Sequence, residues 1–273
     1  MQEAAKLCDK NPSAISKSLK RLELSLSSHL FERVGKTIKL NDVGQRFRVN
    51  ASKIVAQAKQ SIAEYNNDNL TRKYTIIAPS ILMFRWASVI SKVILSHHQK
   101  ASISFNTYFE QQAIQQVING SADLALITEN ALSQLPDELH YSYLGDLTMQ
   151  VAAGKNHPIV QKKNAAEVQT TMEKLLKYDF VTPSVSPYNG QESGLGCDGW
   201  RNDVFPRKLT IEYNDYSVLG QIVRSGSMLA YLPDYLLRDL DLVRVLVTDC
   251  LYSCQEKLLL VSYQQNLINY FKQ

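Results

Sequence analysis

The side chains in this sequence best suited to chemistry are short polar and basic groups clustered near the N-terminus: Asn11, Pro12, Ser13, Ser16, Lys17 and Lys20. Hydroxyls, an amide and ammonium groups on the first turns of a helix can read base edges and neutralise phosphates. They are poor equipment for breaking bonds. The catalytic signatures G-x-S-x-G, H-E-x-x-H and G-x-x-x-x-G-K-[ST] do not occur in the chain. The histidines, His29, His97, His98, His140 and His157, are scattered. His97-His98 ends a predicted helix, where positive charge is favourable. Cys8, Cys197, Cys250 and Cys254 lack the C-x₂-C spacing of a zinc site and read as plain thiols. No metal, no cofactor and no enzymatic activity are expected.

The polar cluster needs a scaffold, and its flanks supply one. Asn11-Pro12 is a helix start, because Asn accepts from free N–H groups and Pro at the first helical position loses no hydrogen bond. The helix is predicted from Pro12 to about Leu24, with Ile15, Leu19, Leu22 and Leu26 as its apolar stripe. Glu3–Cys8 reads as the end of another helix before the turn Asp9-Lys10, giving a helix-turn-helix. Val34, Ile38 and Leu40 around Gly35-Lys36 predict a small hairpin from which Arg33, Lys36 and Lys39 project toward phosphates. Asn41 or Asp42 then caps a helix of about Val43 to Tyr65. Its narrow stripe, Phe47, Ala51, Ile54, Ala58 and Ile62, calls for a second helix to cover it. Asn66-Asn67-Asp68-Asn69 is a polar hinge.

Charge follows the same division. Residues 1–73 carry 14 Lys/Arg against 7 Asp/Glu, and residues 74–273 carry 16 against 19. A basic module on a mildly acidic body points to nucleic acid as partner. With 45% apolar and 21% charged residues the chain is globular in composition. Its apolar runs, such as Leu258–Val261, are too short to span a bilayer, and Met1–Lys10 does not read as a secretory signal. A soluble cytoplasmic protein without membrane contact is expected.

The residues Ala4-Ala5, Asn11–Lys17, Leu19, Leu22-Glu23, Leu26, Leu30-Phe31-Glu32-Arg33, Leu40 and Gly44 closely resemble the winged helix-turn-helix of LysR-type transcriptional regulators. The resemblance implies a further helical segment ahead of Ala4, and Met1 falls within that element. It also implies that the helix after the wing makes an antiparallel dimer contact.

Downstream, strands and helices alternate, as in an α/β fold with parallel strands. Strands are predicted at Tyr74–Ala78, Ser102–Tyr108, Asp123–Ile127, Leu147–Ala153, Phe180–Thr182, Leu209–Tyr213, Met228–Leu232 and Leu258–Tyr263. Helices are predicted after Ser80 and at Ala113–Ile118, Asp215–Arg224 and Pro233–Arg238, with Leu267–Phe271 the start of a last one. Three motifs resemble the effector-binding domain of the same family: Ile118-x-Gly120-x-x-Asp123-Leu124-Ala125-Leu126, Gly154-x-x-His157-Pro158, and Val223-x-x-Gly226-x-x-Leu229-Ala230-x-Leu232-Pro233. The implied organisation is a winged helix-turn-helix (1–42), a linker and dimerisation helix (43–68), and a two-subdomain α/β domain like a periplasmic binding protein (72–273). Its subdomains are expected at about 72–148 with 246–273, and at about 149–245.

Ligands of such sheets bind beyond the carboxyl ends of the strands. That rule selects Ser80, Ile81, Thr128, Glu129, Thr182, Ser184, Asn214 and Asp215, with Ser80 and Thr128 foremost. Glu129 would repel a carboxylate ligand, Arg85 and Arg201 would attract one, and Tyr188 and Trp200 flank a loop that could line a site. The expected function is a LysR-type regulator that binds double-stranded DNA as a homodimer or homotetramer and responds to a small-molecule effector. The alternatives are an effector-binding relative that no longer binds DNA and, more remotely, an enzyme on a solute-binding fold.

Overall fold

The computed structural model describes residues 2–35, 37–65, 72–160, 166–192, 197–250 and 252–272. The chain divides into two compact units, one built on Met1–Asp68 and the other on Asn69–Val117 and Ser121–Gln273.

In the first unit, α1 (Gln2–Leu7) and α2 (Pro12–Ser25) meet at a tight turn that places Asp9 at a positive φ of 50°. The strands β1 (Phe31–Val34) and β2 (Thr37–Leu40) pair antiparallel around Gly35, whose φ of 63° suits the turn. The helix α3 (Asp42–Tyr65) follows. Ala5 and Leu30 are the buried apolar residues of this small unit among those described. Leu22, Ile15 and Leu19 are half-buried, while Leu26 is exposed, so the expected stripe on α2 is only partly covered. The expected hinge at Asn66–Asn69 and the side chain of Lys36 lie outside the described residues.

The second unit is a mixed α/β structure. Its elements in order are β3 (Lys73–Ala78), α4 (Ser80–His97), β4 (Ser102–Thr107), α5 (Glu110–Ile118), β5 (Leu124–Thr128), a 3₁₀ turn over Glu129–Gln134 and β6 (His140–Ala153). There follow β7 (Glu167–Thr170), α6 (Met172–Leu175), β8 (Asp179–Thr182), β9 (Lys208–Glu212), α7 (Tyr216–Arg224), β10 (Leu229–Pro233), α8 (Asp234–Asp239), β11 (Val243–Val247), β12 (Gln255–Ser262) and α9 (Gln265–Asn269). Strands β3, β4 and β5 are parallel, as their long helical connections require. The fully buried β5 reads Leu-Ala-Leu-Ile-Thr, a continuous apolar run covered on both faces.

The longest strand, β6, joins the two halves of this unit. Residues His140–Thr148 pair with β12; Met149–Ala153 pair with β10 on one side, and Val151–Ala153 with β11 on the other. The sequence pattern marked only Leu147–Ala153, because the first half of β6 carries exposed Tyr141 and Tyr143 and lacks a continuous apolar run. Short β7, α6 and β11 were not expected from the pattern. Leu246 and Val247, expected with the first half, pair instead with Gln169 and Thr170 of β7 in the second.

The end of β6 is locked by a close approach. A Cβ on Gly154 would overlap the carbonyl oxygen of Val223 at the end of α7. Gly154→Ala should therefore lower stability by about 1–3 kcal/mol, read as a drop in midpoint in urea unfolding; an unchanged midpoint would show that the α7 terminus can move aside.

Candidate functional site

The N-terminal unit presents α2 from a firm base. Asn11 caps the helix with φ −83° and ψ 153°, and its Oδ1 accepts from the Ala14 N–H at 2.8 Å. The Ser13 hydroxyl donates to the same oxygen at 2.8 Å. Asn11 and Ser13 are thus partly committed to the cap, whereas Ser16, Lys17 and Lys20 stand exposed on the following turns. Glu23, on the last turns of α2, accepts from the N–H groups of Leu30 at 2.7 Å and Phe31 at 3.3 Å. The Leu30 bond above all holds its carboxyl below the ordinary carboxylate value. Asn41 completes the brace, donating to the His29 carbonyl at 2.9 Å and accepting from the Gly44 N–H at 2.8 Å.

The hairpin register separates its cations. Glu32 lies opposite Lys39 and Arg33 opposite Ile38. Neighbouring residues of a strand point to opposite faces, so Arg33 and Lys39 look to different sides, with Lys39 sharing its side with an acid. On α3, Phe47 and Ala51 are half-buried, while Ala58, Ile54 (65% exposed) and Ile62 (59%) are open.

In the second unit a cavity of about 390 Å³ lies at the carboxyl ends of the strands. Glu110 at the start of α5, Thr128 at the end of β5 and Asn130 line it from one half. Ser186, Tyr188, Asn189 and Asp198 line it from the other, and Cys254 and Glu256 from the segment returning to β12. Two contacts bring the halves together here. The Glu110 N–H donates to the Tyr188 carbonyl at 2.9 Å, and the Tyr235 hydroxyl of α8 donates to the Ile81 carbonyl of α4.

Burial governs the electrostatics of the cavity. The Thr128 N–H donates to Glu110 Oε1 at 2.5 Å, yet burial outweighs that bond and raises the carboxyl above its ordinary value. Glu256 accepts from Asn130 Nδ2 at 2.6 Å and is raised by burial and then by repulsion from Glu110 and Glu129. Burial pushes the Cys254 thiol up to about 11, which leaves it protonated and unreactive. Asp198 is held in a fully buried bidentate pair with Arg207, at 2.8 and 3.0 Å. That guanidinium lies over the Trp200 ring at 5.0 Å and the Phe180 ring at 5.4 Å.

Of the residues singled out from the sequence for a ligand, Thr128 lines this cavity. Ser80 is exposed on the first turn of α4. The Ile81 side chain is buried in the core, and Glu129 is turned outward in an ion pair with Lys257 at 3.0 Å. Thr182 is buried, donating at 3.4 Å to the Pro183 carbonyl or to Asp198. Asn214 braces the chain at Ser184, whose N–H and hydroxyl donate to its Oδ1 at 2.9 and 3.1 Å. Asp215 caps α7, accepting from Ser217 and Val218. These four serve turns and caps, where short polar side chains satisfy free backbone groups. Arg201 is occupied by Asp203, and Arg85 lies near the Trp86 and Tyr235 rings. Glu110 was missed although it follows β4, where the strand-end rule applies. Glu256 sits within a strand, and no sequence rule points to it. Among the described residues no group of His, Cys, Asp or Glu is arranged to hold a metal ion, and no helix is long and apolar enough to cross a membrane.

Comparison with known proteins accounts for both units. Residues 1–45 match the bacterial regulatory helix-turn-helix protein model of the lysR family, and residues 67–265 match the LysR substrate binding domain. The chain belongs to the LysR family of transcriptional regulators. It is 25% identical over 241 residues to the uncharacterized HTH-type transcriptional regulator YwqM of Bacillus subtilis, covering 86% of this chain and 77% of that protein. Among solved structures, ArgP from Mycobacterium tuberculosis matches with a TM-score of 0.67 at 18% identity, covering 99% of this chain and 88% of that one. Vibrio fischeri DarR, solved in complex with DNA, matches with a TM-score of 0.55 at 15% identity, covering 98% and 93%.

Glu110 gives a test of the cavity's electrostatics. A carboxyl whose value is raised on folding binds its proton more tightly in the folded state, so its ionisation costs stability as pH rises from the ordinary carboxylate value to the raised one. Glu110→Gln should remove that loss. Thermal midpoints of variant and parent should converge in acid, with the variant ahead at neutral pH; a parent that stays ahead at neutral pH would show the Thr128 bond to be dominant.

Proposed function

We propose that this regulator binds double-stranded DNA through α2 and the wing, and that a small molecule in the 390 Å³ cavity biases its assembly. The observation that carries the DNA reading is the exposure of Ser16, Lys17 and Lys20 on a helix whose C-terminal end is tied to the start of the wing by Glu23. Asn11, Pro12 and Ser13 set the start of that helix, and the cap leaves the Asn11 amide nitrogen to face a base. Arg33 is assigned to a phosphate, because its side of the hairpin carries no acid among the described residues; Lys36 and Lys39 are secondary. The open Ile54 and Ile62, continuing from Phe47 and Ala51 past Ala58, support pairing of α3 with a second copy in a homodimer or homotetramer. The reading is of a cytoplasmic regulator that catalyses nothing.

An effector acts only through unequal affinity for two states. The inter-half contacts at Glu110–Tyr188 and Ile81–Tyr235 are what a ligand in the cavity would strengthen or release.

DNA binding is tested with duplexes enriched from a random pool by the parent protein, followed by fluorescence anisotropy. Replacing Ser16 and Lys17 with Ala should flatten the preference among enriched sequences, since a good base contact contributes about 1–3 kcal/mol of discrimination. An unchanged ranking would move readout to another element, and failure to enrich any sequence would favour the reading of an effector-binding relative that does not bind DNA. Arg33→Ala should weaken binding to all duplexes alike and make the slope of log K against log salt shallower by about one unit. An unaltered slope would leave Arg33 in solvent.

A further inference from the structure

We infer that the cavity selects a cationic ligand, a small amine or ammonium compound, because among the described residues Glu110 and Glu256 face it without a cationic partner and no lysine or arginine lines it. This rests on the reading of the cavity as the effector site. Glu110 is 5% exposed, and no ion pair links it or Glu256 to a basic side chain among the described residues. The third acid, Asp198, is already neutralised by Arg207.

A second observation points to a ligand at the same place. The Tyr188 hydroxyl is buried without a hydrogen-bond partner, and the Thr128 side chain, 1% exposed, has its hydroxyl beside the Glu110 carboxyl. Both residues line the cavity. Buried polar groups are ordinarily bonded, so an unbonded hydroxyl beside two carboxyls that lack a cationic partner describes a recognition surface awaiting a donor group. An ammonium has three donors and a positive charge, and it satisfies acids and hydroxyls together. A carboxylate ligand would add a further negative charge beside two acids that lack a cationic partner.

A separate depression of about 540 Å³ is lined by Lys155, Arg238 and Arg244 together with Asp234 and Asp241, with Lys155 paired to Asp241 and Arg244 to Glu167. Any binding of an acid therefore has to be located by a variant in the cavity.

The test uses three four-carbon probes differing in charge: 1,4-diaminobutane, 1,4-butanediol and succinate. Each is titrated by calorimetry into the full chain up to about 10 mM, which saturates even a millimolar site. Diaminobutane should bind at least tenfold more tightly than butanediol, and succinate weakest. Glu256→Gln and Glu110→Gln should each reduce diaminobutane affinity about tenfold, and Thr128→Val a few-fold, with the parent's fold retained by circular dichroism. Because Glu256 is the less enclosed carboxylate, its variant stands in if Glu110→Gln fails to fold. Diaminobutane binding no better than butanediol overturns the proposal. Succinate binding that Thr128→Val weakens also overturns it, while keeping the cavity as the effector site. If neither charged probe binds better than butanediol and Thr128→Val changes nothing, the effector-site reading falls as well.

Discussion

Strand β6 is the constraint on which the second unit depends. Its 14 residues belong first to one half, against β12, and then to the other, between β10 and β11. Among the described residues the first half pairs with β12 alone, and only the end of the strand, from Val151, has a neighbour on both sides. The change of partners comes between Thr148 and Met149, and the Met149 N–H donates to the Cys254 carbonyl at 2.9 Å. The returning chain is thereby tied to the outgoing one where the halves part, and the cavity forms beside that tie.

Buried polar chemistry in this protein mostly holds backbone in place. Asp198 and Arg207 are both fully enclosed, and the pair is satisfied by Trp200 N–H, Asn202 and two aromatic faces as well as by its own bidentate contact. A buried pair of this kind gives little net stability, but removing one partner strands the other. Its place under the cavity fixes the loop that carries Gly199 and Trp200. Glu23 and Asn41 do comparable work in the first unit, at the surface and at lower cost, by holding the chain between α2 and the wing. The acids that lack such partners, Glu110 and Glu256, therefore stand out.

Local signals carried much of this structure into the sequence. Asn11-Pro12 announced α2, Gly35 announced the hairpin, and the apolar run from Leu124 announced β5, because capping, turn geometry and burial on both faces each act within a few residues. What the pattern did not carry was decided at a distance. The first half of β6 is a strand because β12 pairs with it, not because of its own composition. Asn214 and Asp215 follow a strand as a ligand residue should, yet the loop at Ser184 and the N-terminus of α7 needed them first. Glu256 became a cavity residue only when β12 was laid against β5 and β6, more than a hundred residues away in the chain.

Cys254 occupies a singular position in this arrangement. Its carbonyl accepts from the Met149 N–H, its own N–H donates to the Tyr231 hydroxyl oxygen at 3.0 Å, and its side chain forms part of the cavity wall. A Cβ on Gly199 would overlap its sulfur. Floor and fulcrum are thus one residue: whatever presses on the wall at Cys254 presses also on the point about which the halves would rock. A displacement of the cavity wall at Cys254 is therefore also a displacement of the tie between the returning chain and β6.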